Sequence, residues 1–173
     1  MIARTGRGRV ATAAAWRHAV TSDTSTVLVL SRQDLSILDQ SGATGDASKG
    51  GYILSDTDGA ADVVLIATGS EVELALGAAR QLADVNVRVV SMPSWELFEA
   101  QPQAYRDSVL DPACARRLAI EAGVSFGWSR YLGERGAALT LDRFGASGPY
   151  KALAQRFGFT VENVVERSRQ LLA

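Results

Sequence analysis

Residues Asp62–Leu82, DVVLIATGSEVELALGAARQL, constrain what this chain can fold into more than any other stretch. Val63–Ala67 is a short apolar run, rich in β-branched residues and closed by the turn Thr68-Gly69-Ser70. That is the pattern of a strand buried on both faces. Ser70 and Glu73 stand at capping-box spacing, so the hydroxyl is expected to serve an orphan amide of the first turn while the carboxylate reaches back to the cap amide. Val72, Ala75, Leu76, Ala79 and Leu82 then recur at helical spacing and form one apolar stripe. Val87–Ser91, VRVVS, reads as a second buried strand. Strand, capped helix and strand make a βαβ unit, which predicts two parallel strands joined by a right-handed crossover.

The rest of the chain repeats this alternation. Ala11–Val20 reads as a helix behind a basic start, in which Arg4, Arg7, Arg9 and Arg17 have no acidic neighbour within residues 1–20. Transit segments share that feature, but the reading adopted is a structural helix. Thr26–Leu30, TVLVL, is a third candidate buried strand, and Tyr52–Leu54 a short one. Ser36–Gly50 lacks periodicity and is rich in Gly, Ser, Asp and Ala, so it reads as a linker. Ser94 is placed to cap a helical turn through Trp95–Phe98, and Gln103–Leu110 forms the next short helix. Arg117–Glu121 and Ala137–Leu141 are further strands, with Trp128, Tyr131 and Leu132 on one face of a helix at about Ser125–Leu132. Asp142–Gly148 is a loop in which Asp142 and Arg143 can pair. Pro149 opens a helix that Gly158 closes, and Thr160 caps the last one. Strands separated by helices specify an α/β fold with a mostly parallel sheet.

Composition narrows the function classes. The formal net charge of −1 removes the basic excess that nucleic acid or an anionic membrane would require. No apolar run approaches the ~20 residues of a membrane span. The single cysteine, Cys114, has no partner for an internal disulfide, which fits a reducing compartment. His18 is the only histidine, with no Cys, Asp or Glu near it in sequence to complete a metal site or a catalytic triad.

Candidate binding residues follow from position. Arg32, in Ser31-Arg32-Gln33, stands at the carboxyl end of the Thr26–Leu30 run, where ligands bind in α/β folds. Its planar fork suits a phosphate or carboxylate, although a solvated arginine is the simpler reading of position alone. Gly69-Ser70 and Gly145–Pro149 are helix starts that expose amides to an anion, but neither is a Walker or dinucleotide fingerprint. Glu96, Glu99 and Glu121 have no spacing that marks an acid/base pair. The residues alone therefore give an α/β domain without a self-sufficient active site.

Several segments, in order, resemble the carboxyl-terminal portion of transketolase: TVLVLSRQDLSILD (26–39), KGGYIL (49–54), DVVLIATGSEVELA (62–75), VRVVSMPSWELFEAQ (87–101), YRDSVL (105–110), RLAIEAG (117–123), RFGASGP (143–149) and FGFTVENVV (157–165). The likeness runs from about Ala13 to the end, and residues 1–10 depart from it. It implies a mostly parallel five-stranded, Rossmann-like sheet with helices on both faces, preceded by a helix and strand left from the middle, pyrimidine-binding domain. The implied boundaries are 1–35 for that remnant, 36–50 for the linker and 51–173 for the C-terminal domain.

Transketolases transfer two-carbon ketol units between sugar phosphates in the pentose phosphate pathway, using thiamine diphosphate and magnesium in a cytoplasmic homodimer. The resemblance implies that Arg32 matches the arginine that binds the substrate phosphate. It also implies that this chain is truncated relative to the family. The G-D-G diphosphate and metal motif is absent from the sequence, and the cofactor-activating glutamate would lie before Met1. No catalytic, cofactor-binding or metal-binding residue is therefore assigned, and the chain alone is expected to bind no cofactor and to be catalytically incomplete. A partner chain carrying the remaining domains would complete it. Two rivals stand beside this reading. One is a stand-alone α/β module that binds an anionic metabolite near Gly69-Ser70, or a partner chain. The other is a non-functional remnant whose Thr26–Leu30 edge drives association.

Overall fold

The computed structural model describes residues 13–31, 33–38 and 40–173. Its centre is strand β2 (Val63–Ala67), whose five residues are all buried. The continuous apolar run has a direct cause, because a neighbour lies along each edge and helices cover each face. Strand β3 (Val87–Ser91) pairs with β2 in parallel, Val63 opposite Val87 through Ala67 opposite Ser91. Strand β4 (Arg117–Ile120) pairs in parallel along the other edge, Val64 opposite Arg117 through Ala67 opposite Ile120. Strand β5 (Ala137–Leu139) extends the sheet beyond β4, and β1 (Tyr52–Ser55) closes the opposite edge antiparallel to β3. The order is β1-β3-β2-β4-β5, the expected five-stranded, mostly parallel sheet.

Period-2 alternation divides the core into two layers. Val63, Leu65, Ala67, Val89, Leu118 and Ile120 face helix α2 (Glu71–Gln81) and the last helix of the chain. Val64, Ile66, Val90 and Ala119 face the aromatic layer of Phe98, Trp128 and Tyr131. On the first side Val72, Ala75 and Leu82 of the expected stripe are buried, Leu76 and Ala79 are partly buried against the same layer, and Ala78 joins the buried set. On the second side, α3 (Trp95–Glu99) starts where Ser94 Oγ accepts from the Leu97 amide at 3.3 Å. Helix α4 (Gln103–Val109) follows it, and the short α5 (Ser129–Leu132) brings Tyr131 against Trp128 and Phe98 at centroid separations of 6.0 and 6.1 Å.

Two arginines, Arg117 buried and Arg88 partly buried, join elements that the sequence leaves unconnected. The Arg117 guanidinium donates to the carbonyls of Cys114, Tyr131, Leu110 and Asp111 at 3.0, 3.0, 3.3 and 2.8 Å. Four carbonyl acceptors satisfy a buried cation without a carboxylate. Arg88 binds Asp56 through two nitrogens, at 2.8 and 3.0 Å, and reaches the Ser108 carbonyl at 2.9 Å.

Helix α6 (Tyr150–Arg156) ends in a Schellman turn, with the Gly158 amide on the Gln155 carbonyl at 3.2 Å and the Phe159 amide on the Ala154 carbonyl at 2.8 Å. Thr160 Oγ1 accepts from the Asn163 amide at 3.3 Å and caps α7 (Val161–Leu172), as its position predicts. Pro149 occupies the cap position, one residue before the helix it was expected to open. Asp142 accepts from the Ser125 amide at 2.8 Å, while Arg143 lies over the Phe157 ring at 5.6 Å. The expected Asp142–Arg143 pair is thus replaced by two longer-range contacts.

The N-terminal part departs furthest from expectation. Helix α1 (Ala13–Thr21) is present, and its buried Ala15 is covered by Leu28 and Leu30. Thr26–Leu30 forms no strand and joins none in the sheet, and Val27 and Val29 are 73% and 56% exposed. A run buried on both faces needs strands beside it, and among the described residues the five-stranded sheet does not supply them. The expected linker is also more than a spacer. The Thr44 amide donates to the Ile53 carbonyl at 2.8 Å, and a 3-10 turn at Ala47–Lys49 buries Ala47. Gly50, at φ +79°, lies so close to α3 that an added Cβ would sit 2.2 Å from the Phe98 nitrogen.

Candidate functional site

The carboxyl end of β2 leads into a crowded junction. Thr68 is buried, Gly69 turns the chain at φ +58°, and α2 begins at Glu71. Ser70 has helical backbone angles, φ −65° and ψ −29°, and makes no side-chain cap bond. A capping serine needs extended angles to aim its oxygen back at the first turn, so the expected capping box does not form. The Ser70 hydroxyl instead donates to Glu71 Oε1 at 2.7 Å, and Glu73 Oε1 accepts from Ser36 Oγ at 2.8 Å.

Glu71 is 4% exposed. Its carboxylate stands at the positive end of α2, where the helix dipole favours negative charge. The helix start proposed from sequence for an anion at Gly69 and Ser70 therefore already carries a carboxylate of this chain. The other candidate start, Gly145–Pro149, lies on an exposed loop whose final residue has no amide hydrogen to offer.

Tyr150, the first residue of α6, completes the junction. The side chains of Gln33, Ser70 and Glu71 are its polar neighbours. Partial burial raises its pKa, and the nearby Glu71 charge adds to the rise. Ser31 Oγ donates to the Gln33 carbonyl at 3.4 Å. Arg32, the candidate phosphate ligand between these two residues, lies outside the described residues, as do Arg4, Arg7 and Arg9. Beyond Gln33, a cleft of about 530 Å³ separates residues 36–42 from α2, with Ser36, Leu38, Leu54, Glu73, Leu76 and Arg80 on its walls.

The remaining acidic candidates are engaged in structure. Glu99 accepts from the Tyr131 hydroxyl at 2.8 Å and pairs with Arg106 at 2.7 Å. Burial raises the Tyr131 pKa, and the adjoining Glu99 carboxylate adds to it. Glu96 accepts from Ser94 Oγ at 3.0 Å. Among the described residues no group of three or more His, Cys, Asp or Glu side chains is placed to hold a metal ion. Cys114 is buried, and its thiol meets the Arg116 carbonyl at 3.5 Å. No helix among the described residues is long and apolar enough to cross a membrane.

The sequence does not reveal Tyr150 or Glu71 as members of this junction. Glu71 sits one residue inside a helix start, where a carboxylate is ordinary, and Tyr150 lies far along the chain in an exposed segment. The one available signal is that α2 carries two acidic residues, Glu71 and Glu73, in its first turn.

Comparison with known proteins accounts for the arrangement. The family model for the transketolase-like TK C-terminal domain matches residues 50–160. A transketolase of Geobacillus stearothermophilus is 52% identical over 167 residues, covering 93% of this chain and 25% of its own length. The structure of transketolase from Leishmania mexicana superposes with a TM-score of 0.85 at 40% identity, covering 99% of this chain and 25% of that one. A transketolase from Pichia stipitis in complex with sedoheptulose 7-phosphate gives 0.81 at 36% identity, covering 92% and 23%. The chain thus spans about a quarter of the length of the curated relatives it matches. A sequence likeness and a fold likeness that cover the same residues lead to one conclusion: the chain belongs to the transketolase family and contains its C-terminal domain.

Proposed function

We propose that this chain serves as the C-terminal part of a transketolase that transfers two-carbon ketol units between sugar phosphates, and that Arg32 binds the substrate phosphate. The observation that carries the reading is the ordered likeness over 93% of the chain to a protein of that activity. The sedoheptulose 7-phosphate bound to the Pichia stipitis relative supports a phosphorylated ketose as substrate. Residues 1–35 are proposed as the end of the pyrimidine-binding domain, 36–50 as the connection and 51–173 as the C-terminal domain. The working enzyme is proposed to be a cytoplasmic homodimer.

Thiamine diphosphate and magnesium supply the carbanion chemistry in this family, and among the described residues no group of three or more His, Cys, Asp or Glu side chains is placed to hold the metal ion. No step is assigned here to residues of this chain acting on that cofactor. The chemistry available to Arg32 is positional. A guanidinium offers a phosphate two parallel charge-assisted hydrogen bonds, which fixes the distal end of an extended sugar and leaves its carbonyl end to the reacting centre. Such an interaction is present in both the bound and the transition state, so it acts mainly on KM.

The test is reconstitution. Mixing this chain with a polypeptide equivalent to the upstream three quarters of the Geobacillus stearothermophilus relative is expected to give ketol transfer dependent on thiamine diphosphate. No activity on mixing would count against the proposal. In the active assembly, Arg32→Ala is expected to raise KM for a phosphorylated ketose about 10- to 100-fold, the loss of a hydrogen-bonded charge pair. KM for an unphosphorylated α-hydroxyketone should stay as it was.

A further inference from the structure

We propose that the cavity at the carboxyl ends of β2, β3 and β4 binds a small organic ammonium, its cationic head served by Thr68, Glu96 and Glu121 and its apolar body lying against Trp95, Phe126 and Trp128. Such a ligand carries the opposite charge to a sugar phosphate, and the cavity uses no residue of Ser31-Arg32-Gln33.

The sheet topology makes the opening. The chain leaves β2 through Thr68 towards α2, on one face of the sheet. It leaves β3 through Met92-Pro93-Ser94, and β4 through residues 121–128, towards the aromatic layer on the other face. Connections that part to opposite faces from adjacent parallel strands leave a crevice between them, which is where α/β sheets take ligands. Here the crevice is a cavity of about 340 Å³ with residues of all three connections on its walls.

One wall residue is incomplete. Thr68 is 6% exposed, and its Oγ1 has no hydrogen-bond partner. A buried hydroxyl in that state forfeits the bonds it makes to water in the unfolded chain, and a ligand donor would restore one. The other hydroxyl on the wall is already committed. Ser94 Oγ accepts from the Leu97 amide at 3.3 Å and donates to Glu96 Oε2 at 3.0 Å, which orients that carboxylate and leaves it acceptor capacity.

The lining selects the ligand's charge. Glu96 and Glu121 are its ionisable side chains, and among the described residues no Lys, Arg or His lines it. A Cβ added to Gly123 would lie 3.2 Å from Glu121 Oε1, so the Glu121 carboxylate lies over Gly123 on the cavity wall. Like charges set against each other are costly, which turns phosphates and carboxylates away. Two carboxylates fall short of a metal-binding group, and a bare ion would leave the aromatic walls unused. A primary ammonium has three donors and no acceptor, which suits two carboxylates and a threonine oxygen. Trp95 and Trp128 meet edge to face with centroids 5.0 Å apart, a fixed corner whose π faces also attract a cation. Phe126 stands 87% exposed at the rim, where a bound apolar group would cover it.

Calorimetric titration of this chain with 2-phenylethylamine tests the assignment, beside 3-phenylpropanoate as an anion of similar size. The amine is expected to bind with a Kd below about 1 mM, and the carboxylate not to bind. In heteronuclear NMR the amine should shift amides of residues 68, 94–96 and 121–128. Thr68→Val keeps the shape and removes the oxygen. It should weaken the amine about five- to tenfold while raising the thermal midpoint of the free chain, because an unpartnered hydroxyl is gone. Glu96→Gln and Glu121→Gln should each weaken the amine about fivefold. No binding of the amine, equal affinity for 3-phenylpropanoate, or shifts confined to other residues would overturn the proposal. A Thr68→Val chain that binds the amine as tightly as the parent, or that unfolds at a lower temperature, would overturn it as well.

Discussion

Gly50 shows how much one missing methyl group can control. Its carbonyl accepts from the Ser94 amide at 3.0 Å, and its Cα lies against the first turn of α3. A Cβ there would meet the Phe98 nitrogen at 2.2 Å and the Ser94 oxygen at 2.4 Å, both backbone atoms that cannot swing away. The φ of +79° adds a second penalty for any L side chain. Gly50→Ala is therefore expected to destabilise the chain by at least about 2 kcal/mol, read as a lower urea midpoint with unchanged slope. Gly42, which has open space around its Cα, is the control: Gly42→Ala should be nearly neutral.

Arg117 makes the same point about what sequence conveals and reveals at this scale. It opens the RLAIE strand, and its four carbonyl partners come from residues 110–114 and from Tyr131. Those acceptors are set by two loops and a helix end, whose geometry no periodicity encodes.

At the scale of elements, the 3-10 turn Ala47–Lys49 carries a pH dependence. Asp46 Oδ1 accepts from the Ser48 amide at 2.7 Å, and hydrogen bonds from Ser48 hold the Asp46 carboxyl below its ordinary pKa. A depressed folded value means that the charged form stabilises the turn above the unfolded value of about 3.9, and that this contribution is lost as pH falls through the lower folded value. Exchange protection at Lys49 and Gly50 should accordingly drop below about pH 4 and become less pH-sensitive in Asp46→Asn.

The elements themselves were mostly legible. The runs at Val63–Ala67 and Val87–Ser91, the stripe of α2, the Ser94 and Thr160 caps and the Gly158 stop all follow from local chemistry and all appear in place. The Ser70–Glu73 box failed because Ser70 takes helical backbone angles and donates to Glu71, while Glu73 is engaged by Ser36 from a distant segment. Thr26–Leu30 failed for another reason. Its composition reports burial on two faces, and burial depends on neighbours that a pattern does not name. The candidate site was legible as a motif at Ser31-Arg32-Gln33, whereas the buried Glu71 and the distant Tyr150 near it were not, because tertiary packing brings them there.

At the scale of the whole molecule, the sheet order separates what is local from what is distant. Strands β2 and β3 and the intervening α2 come from one contiguous stretch, and β2 sits at the middle of the sheet. β1 precedes them in sequence but joins only the outer edge of β3, in the antiparallel sense and with an irregular register between Ile53 and Ser55. Contacts of short loop length form at lower entropic cost, so the central unit is expected to assemble first and the β1 edge to close last. Leu82 and Leu54 are both almost fully buried in the same layer, and each truncation to alanine should cost about 2–5 kcal/mol. The equal losses should divide differently in time. Leu82→Ala is expected chiefly to slow refolding, and Leu54→Ala chiefly to hasten unfolding, in chevron kinetics. The antiparallel edge would then act as the clasp of the domain, governing how long the native state lasts and contributing little to how quickly it is reached.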